Sequence, residues 1–271
     1  MSPSASGDVP GNPPTVVRTK LVPPIPAEDH LDRPKLVEPL LAAHHLVIVS
    51  APAGWGKTSL LAAWHAAERE RRRFAFVRLA PGDDLVPVFW TYVIEALRSL
   101  DPALVPGADV VLGRPHIDPV REIVPALVND LAAIGDPIVL VLDDYHVVNS
   151  AVVHESVGHL VDNLPPAVGL VIATRSDPPL SLGRLRASGD LVEIRARHLA
   201  FDEVETAMFL RKRFSVELDG AAIQQLCERT EGWPAGLQLA GISLGSEDDP
   251  QSFIERFAGD DRNVADYLVG E

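Results

Sequence analysis

Leu46-Val-Ile-Val-Ser-Ala-Pro-Ala-Gly-Trp-Gly-Lys-Thr-Ser59 is the stretch whose reading decides the fold. Leu46 to Val49 is a short β-branched run that reads as a buried strand. Small residues and Pro52 end it, and Thr58-Ser-Leu-Leu-Ala-Ala-Trp-His65 continues as a helix. Strand, small-residue loop, Gly-Lys-Thr and helix together form the phosphate-binding P-loop arrangement. Gly54 and Gly56 let successive backbone N–H groups curl around phosphate oxygens, where a Cβ would strain the turn. The helix start adds free N–H groups and the positive end of its dipole. Lys57 directs a point charge at the β- and γ-phosphates, and Thr58 offers a hydroxyl to Mg²⁺. The candidate nucleotide-binding stretch is therefore Ala51, Pro52, Ala53, Gly54, Trp55, Gly56, Lys57, Thr58 and Ser59. The pattern G-x-x-x-x-G-K-[ST] meets Ala51 where its first glycine should stand. A Gly-rich turn with a solvated lysine is the alternative.

A second stretch, Pro137-Ile-Val-Leu-Val-Leu-Asp-Asp144, carries an unbroken apolar run that reads as a strand buried on both faces, as in a parallel sheet. Its two carboxylates fall at the strand's C-terminal end, the edge where open α/β sheets bind ligands. Beside a P-loop this is a Walker B segment, with Asp143 placed to hold Mg²⁺ and Asp144 to polarise the attacking water or help to orient the metal; a polar loop after a strand is the alternative. A third strand, Gly169 to Arg175, puts Thr174 and Arg175 just past its end, where Arg175 is placed to sense a γ-phosphate. An arginine in a surface loop is the rival reading there.

Composition limits the partners. Asp plus Glu number 38 against 24 Lys plus Arg, a net charge of −14. That balance opposes a grip on the DNA backbone by this chain but leaves room for one local positive pocket. The single cysteine, Cys227, excludes an internal disulfide and reads as a buried core thiol in a reducing compartment. The first residues lack the basic and apolar regions of a secretory signal, and no apolar run is long enough to span a bilayer, so the expected location is cytoplasmic. The histidines make no defensible metal site: His154 and His159 are poorly placed to share a helix face, and His146 reads as a surface-loop residue.

Along the chain, residues 1–17 read as a disordered Pro/Ser/Gly-rich tail, and Thr19 to Pro26 as an extended proline-held segment. A short amphipathic helix is expected from Pro34 to Leu41, and Arg71-Arg-Arg73 reads as a solvated helix end. Strand Phe74–Leu79, helix Pro87–Arg98, a loose Pro/Gly region from Asp101 to Pro119, and helices Val120–Ile134 and Val152–Asn163 follow, with a last strand at Leu191–Ile194. Strands alternating with helices predict an α/β domain with a five-stranded, mainly parallel sheet over 18–197. From Leu199 only helices are expected. Asp202-Glu-Val-Glu205 reads as a capping box opening a helix to Phe214, Asp219 caps another through Arg229, and Pro234 starts a third. The small helical domain is read as 198–246. Residues 247–271 read as a linker with short helical pieces at Phe253–Phe257 and Val264–Leu268.

Several motifs together resemble one family. Ser50-Ala-Pro-Ala-Gly-Trp-Gly-Lys-Thr58 is similar to the P-loop of MalT-like, LuxR-type large transcriptional regulators, which belong to the STAND class of P-loop ATPases. Leu140-Val-Leu-Asp-Asp-Tyr-His146 resembles that family's Walker B segment, Ala173-Thr-Arg-Ser-Asp-Pro-Pro-Leu180 its sensor 1 segment, and Gly232-Trp-Pro-Ala-Gly-Leu-Gln-Leu239 its GxP segment. Thr19-Lys-Leu and Asp32-Arg-Pro-Lys-Leu resemble its approach to the P-loop. The resemblance runs from about residue 18 to 271. It implies an ATP/ADP-binding switch with slow Mg²⁺-dependent hydrolysis: Lys57 and Thr58 on phosphate and Mg²⁺, Asp143 on the metal, Asp144 on the hydrolytic water, Arg175 as sensor 1 and Pro234 against the adenine. It also implies Arg33 near the base, self-association in the ATP state, and a winged helix beginning in 247–271. The sensor and DNA-reading modules of such regulators have no counterpart here, so direct DNA binding by this chain is not expected. Two other readings stay open. One is a dedicated P-loop ATPase or kinase, for which Arg211-Lys-Arg213 is the sole lid candidate; the other is an interaction module without nucleotide.

Overall fold

The computed structural model describes residues 15–42, 45–114, 117–245 and 253–254. A 3-10 turn, Arg18–Leu21, precedes helix α1 (Pro34–Ala42), strand β1 (Leu46–Ser50) and helix α2 (Lys57–His65). Then follow β2 (Arg73–Arg78), α3 (Val86–Leu100), α4 (Pro106–Leu112), a π-helical turn at Pro119–Ile123, and α5 (Val124–Ala132). Next are β3 (Ile138–Asp143), α6 (Ala151–Asp162), β4 (Val168–Thr174), α7 (Gly183–Ser188), β5 (Leu191–Arg195) and the short α8 (Ala196–Leu199). Helices α9 (Glu203–Phe214), α10 (Gly220–Thr230) and α11 (Pro234–Leu244) complete the described elements.

The five strands form one sheet in the order β2-β3-β4-β1-β5, and every pairing is parallel. The architecture is α/β with the sheet expected from the sequence. Period-two alternation sorts each strand's side chains onto two buried faces. Leu46, Ile48, Ala75, Val77, Leu140, Leu142, Leu170 and Ile172 join the core beneath α3 to α6. Val47, Val49, Phe74, Phe76, Val139, Val141, Val171 and Ala173 face the other way and pack on Leu40 of α1 and on Leu60, Leu61 and Trp64 of α2. Helix α3 shows how a covering helix is written into sequence. Phe89, Trp90, Val93, Ile94 and Leu97 recur at helical spacing and are all buried. Each such side chain contributes roughly 1.5–3 kcal/mol of transfer free energy.

Strand order has a direct consequence for the site. β4 lies between β1 and β3, with Ser50 in register with Thr174 and Leu142 with Ile172. The ends carrying the P-loop, Thr174-Arg175 and Asp143-Asp144 thus converge on one edge of the sheet.

The helical unit has its own core, in which Leu210, Ile223, Leu226, Leu237 and Leu244 pack with Phe253 and Ile254. Its starts are capped as expected. Asp202 accepts from the Glu205 N–H while Glu205 accepts from the Asp202 N–H, and Asp219 caps α10 by accepting from Ala222 N–H.

Some expectations need correction. Arg18–Leu21 is a 3-10 turn rather than fully extended chain, held where Lys20 Nζ reaches Asp83 Oδ2 at 2.6 Å. The Asp101–Pro119 region contains α4, because Pro106 sits in the first turn, where a missing N–H costs nothing. Helix α2 ends at His65, and Arg72 is no solvated helix end. It pairs with Glu70 at 2.6 Å, donates to the Leu40 carbonyl at 2.9 Å and lies over the Trp64 ring. Cys227 is half-buried rather than fully in the core, and burial raises its thiol pKa. Residues 1–14 of the expected 1–17 tail, the helical piece at Val264–Leu268, most of that at Phe253–Phe257 and the start of a winged helix lie outside the described residues.

Candidate nucleotide site

The P-loop runs from β1 into α2, and its glycines take the backbone the motif requires. Gly54 has φ +74° and Gly56 has φ +79°, the left-handed region in which a side chain is strained. Lys57 is 7% exposed and turns back over its own loop, donating from Nζ to the Ala51 carbonyl at 2.8 Å and the Pro52 carbonyl at 3.0 Å. Its charge is thereby held against the loop backbone instead of being solvated. Ala51 is 2% exposed and donates its N–H to the Thr174 carbonyl at 3.2 Å, so the departure from glycine leaves the loop's exit from the sheet intact. Trp55 packs against the core under α1 and α2.

Thr58 Oγ1 donates to Asp143 Oδ2 at 3.1 Å, joining the P-loop helix to the end of β3 across the intervening β4. Asp143 is fully buried, and its other oxygen accepts from the Asp144 N–H at 3.0 Å. Burial, with the neighbouring Asp144 charge second, raises Asp143 to about 6 against the pull of the Thr58 bond. A buried carboxylate sharing a hydroxyl with a P-loop threonine is the donor set a magnesium–phosphate group uses. Asp144 follows at φ +58°, a left-handed conformation that aspartate tolerates better than most residues. It lies 3.9 Å from His146 Nδ1, and His146, expected as a surface residue, is 19% exposed at its side chain. Arg175, the first residue past β4, is half-buried. Among the described residues, no group of three or more His, Cys, Asp or Glu side chains is arranged to hold a metal. A divalent ion here would take the rest of its shell from phosphate or water oxygens.

The helical unit closes directly on the loop. Trp233 Nε1 donates to the Ala53 carbonyl at 3.2 Å, and the Ala235 N–H donates to the Gly54 carbonyl at 3.1 Å. Pro234, at the start of α11, therefore sits between two residues bonded to the P-loop. Glycine is obligatory at 54 for contact as well as for backbone, since a Cβ there would meet Ala235 Cβ at 2.6 Å and Trp233 Nε1 at 2.9 Å.

No family model matches the chain. Over 260 residues it is 29% identical to the HTH-type transcriptional regulator MalT of Klebsiella pneumoniae subsp. pneumoniae, covering 94% of this chain and 28% of that protein. MalT of Cronobacter sakazakii gives the same identity and coverage. The chain is a homologue of the MalT regulators. It spans 28% of the length of these curated MalT relatives. Among solved structures, a Walker-type ATPase of Pyrococcus abyssi superposes with a TM-score of 0.59 at 18% identity, over 92% of this chain and 76% of that one. A STAND protein of Pyrococcus horikoshii with a tetratricopeptide repeat sensor gives a TM-score of 0.58 at 18% identity, over 85% of this chain and 32% of that one. Both share the fold of the MalT-like region described above.

Arg33, expected near the base, has other partners. Its guanidinium pairs with Glu205 at 2.8 Å and donates to the Leu199 carbonyl at 2.7 Å and the Ala200 carbonyl at 2.8 Å, with the Phe201 ring 4.9 Å away. None of these is a P-loop residue; Arg33 clamps the approach segment to the start of the helical unit. Lys212 and Arg213 act alongside it, Lys212 donating to the His30 carbonyl at 2.6 Å and Arg213 pairing with Asp29 at 2.5 Å. Two members of the Arg211-Lys-Arg213 cluster, the candidate kinase lid, thus hold the N-terminal segment. The role of Trp233 was missed in the sequence, although the paired Gly54 and Gly236 that make room for its ring were visible there. A Cβ on Gly236 would meet the ring at 2.7 Å.

Proposed function

We propose that this chain is the ATP/ADP-binding switch region of a MalT-like transcription regulator, hydrolysing ATP slowly with Mg²⁺. The observation that carries the reading is the Thr58–Asp143 hydrogen bond of 3.1 Å beneath a P-loop whose lysine is already folded over the concavity. The residues fit the ligand: the left-handed Gly54 and Gly56 give the loop the curled backbone that a phosphate cradle needs, Lys57 brings positive charge, and Thr58 with Asp143 presents hard oxygen donors. Bound Mg²⁺ would neutralise charge building on the β- and γ-oxygens. Asp144 orients and polarises the attacking water, Arg175 faces the γ-phosphate from the neighbouring strand end, and Pro234 packs against the base. In this reading 18–197 is the P-loop NTPase unit, 198–246 the helical unit and 247–271 the beginning of a winged helix. Arg33 enters it as the clamp between the first two.

A nucleotide gripped by both units makes their relative placement depend on its phosphates, which is the physical basis of a switch that self-associates in the ATP state. The acidic balance of −14 makes direct DNA contact by this region unfavourable. Among the described residues no helix is long and apolar enough to cross a membrane, and a cytoplasmic location belongs to the same proposal.

Calorimetric titration of ADP and ATP with and without Mg²⁺, in the wild type and in Asp143→Asn, tests the assignment. Mg²⁺ is expected to tighten binding in the wild type and to lose that effect in the variant. Binding equally sensitive to Mg²⁺ in both would remove Asp143 from the metal site.

A further inference from the structure

We propose that Trp233 is a positioning residue for phosphate binding, acting through the P-loop backbone rather than by touching nucleotide. The inference rests on the P-loop reading above and adds a residue and a mechanism to it.

The carbonyl of one residue and the N–H of the next share a plane and point in opposite directions. Fixing the first outward therefore turns the second inward. Four consecutive P-loop carbonyls are held from outside the concavity's wall or across it. Ala51 and Pro52 accept from Lys57 Nζ, Ala53 accepts from Trp233 Nε1, and Gly54 accepts from the Ala235 N–H. The last two peptides are those whose N–H groups belong to Gly54 and Trp55. Among the described residues neither N–H is paired with a backbone acceptor. With their carbonyls tied to Trp233 and Ala235 at the start of α11, these N–H groups are presented to the phosphate site as anion donors before any ligand arrives.

The site for the indole is built. The Trp233 ring stands between Gly54 and Gly236, where a Cβ on either glycine would come within 2.9 Å and 2.7 Å of it. Phe201 N–H donates to the Gly232 carbonyl at 2.8 Å, and Gly232, at φ +65°, admits no side chain because a Cβ would lie 2.3 Å from the Phe201 carbonyl oxygen. The turn that delivers Trp233 is therefore as constrained as the loop that receives it. Preorganised donors cost no reorientation when the anion binds, whereas freed peptides must be ordered then.

Trp233→Phe keeps an aromatic ring between the two glycines and deletes the N–H donor. An isosteric benzothienylalanine at 233, with sulfur replacing the N–H, does the same without changing ring size. Affinities for ADP, for inorganic pyrophosphate and for adenosine are measured on the chain, with thermal melting as the folding control. Loss of one preorganising hydrogen bond is expected to weaken ADP and pyrophosphate in parallel, by about three- to tenfold, and to leave adenosine unchanged. Weakening of ADP and adenosine with pyrophosphate unaffected would overturn the proposal, because Trp233 would then be contacting the base. Unchanged affinity for all three in both replacements overturns it as well. A wild-type chain that binds neither ADP nor pyrophosphate defeats the nucleotide reading itself, an outcome distinguishable because it needs no substitution at 233.

Discussion

The P-loop is supported from two sides, and the two supports differ in kind. From within the α/β unit, Lys57 and the Thr58–Asp143 pair hold it with buried charged groups close to strand ends. From the helical unit, Trp233 and Ala235 hold it with two neutral hydrogen bonds to carbonyls, while Arg33 and Glu205 fasten the same two units at a separate point. The inner support is made of groups that do chemistry. The outer support is made of groups that set shape. Removing the first should cost ligand binding above all, and removing the second should loosen the contact between units first.

Lys57→Ala gives the sharpest break. Removing a charge-assisted contact of about 2–3 kcal/mol should weaken ADP by roughly 30- to 150-fold in calorimetry, with a lowered melting temperature because the Ala51 and Pro52 carbonyls lose their donor. An equal affinity in the variant would place phosphate outside the concavity.

Arg33→Ala tests the outer support. It strips Glu205 of its partner and leaves the Leu199 and Ala200 carbonyls without their donor, which should cost about 2–3 kcal/mol in chemical denaturation. Arg33→Lys should recover little, because an ammonium cannot span the carboxylate and both carbonyls as the planar fork does. Full rescue by lysine would mean that simple charge suffices.

Gly54→Ala joins the two sides, since the residue lies in the loop and against Ala235. The left-handed backbone and the 2.6 Å approach should together cost about 1–3 kcal/mol of stability, read as a lowered melting temperature without ligand. A wild-type melting point would show that the units are not in contact there.

The smallest expected effect belongs to β5, at the sheet edge. Hydrogen bonding to Arg186, supported by Arg195, lowers Glu193 to about 2 from an ordinary 4.5. A depressed carboxylate contributes stability that is complete above the unfolded-state pKa and lost as pH falls through the folded one. Glu193→Gln should therefore be less stable than the wild type by about 1 kcal/mol at neutral pH, a value held down by solvent screening. The gap should close between pH 4.5 and about 2. Denaturation curves at neutral and acid pH read this directly, and a gap independent of pH would assign the loss to packing.

What could be read from sequence tracks the same division. The P-loop, the Asp143–Asp144 strand end and the capping box at Asp202 are local: a few adjacent residues carry the reason for their own geometry. Helix α4 was hidden because Pro106 reads as a breaker until its place in a first turn is known. Arg72 was hidden because its partners include the Leu40 and Leu41 carbonyls, which no spacing rule links to it. The insertion of β4 between β1 and β3, which sets Arg175 beside the loop, is a topological fact that alternating strands and helices leave open. Trp233 and Arg33 depend on contacts 180 and 172 residues distant, so their residue types were visible while their roles were not.

In the proposed switch, this region keeps an adenine nucleotide in the P-loop as a regulatory ligand. Denaturing the purified chain and identifying any released nucleotide by chromatography, with Lys57→Ala alongside, tests it most directly. Near-stoichiometric ADP is expected from the wild type and little from the variant. A wild-type chain that releases none and fails to bind added ADP or ATP would contradict it.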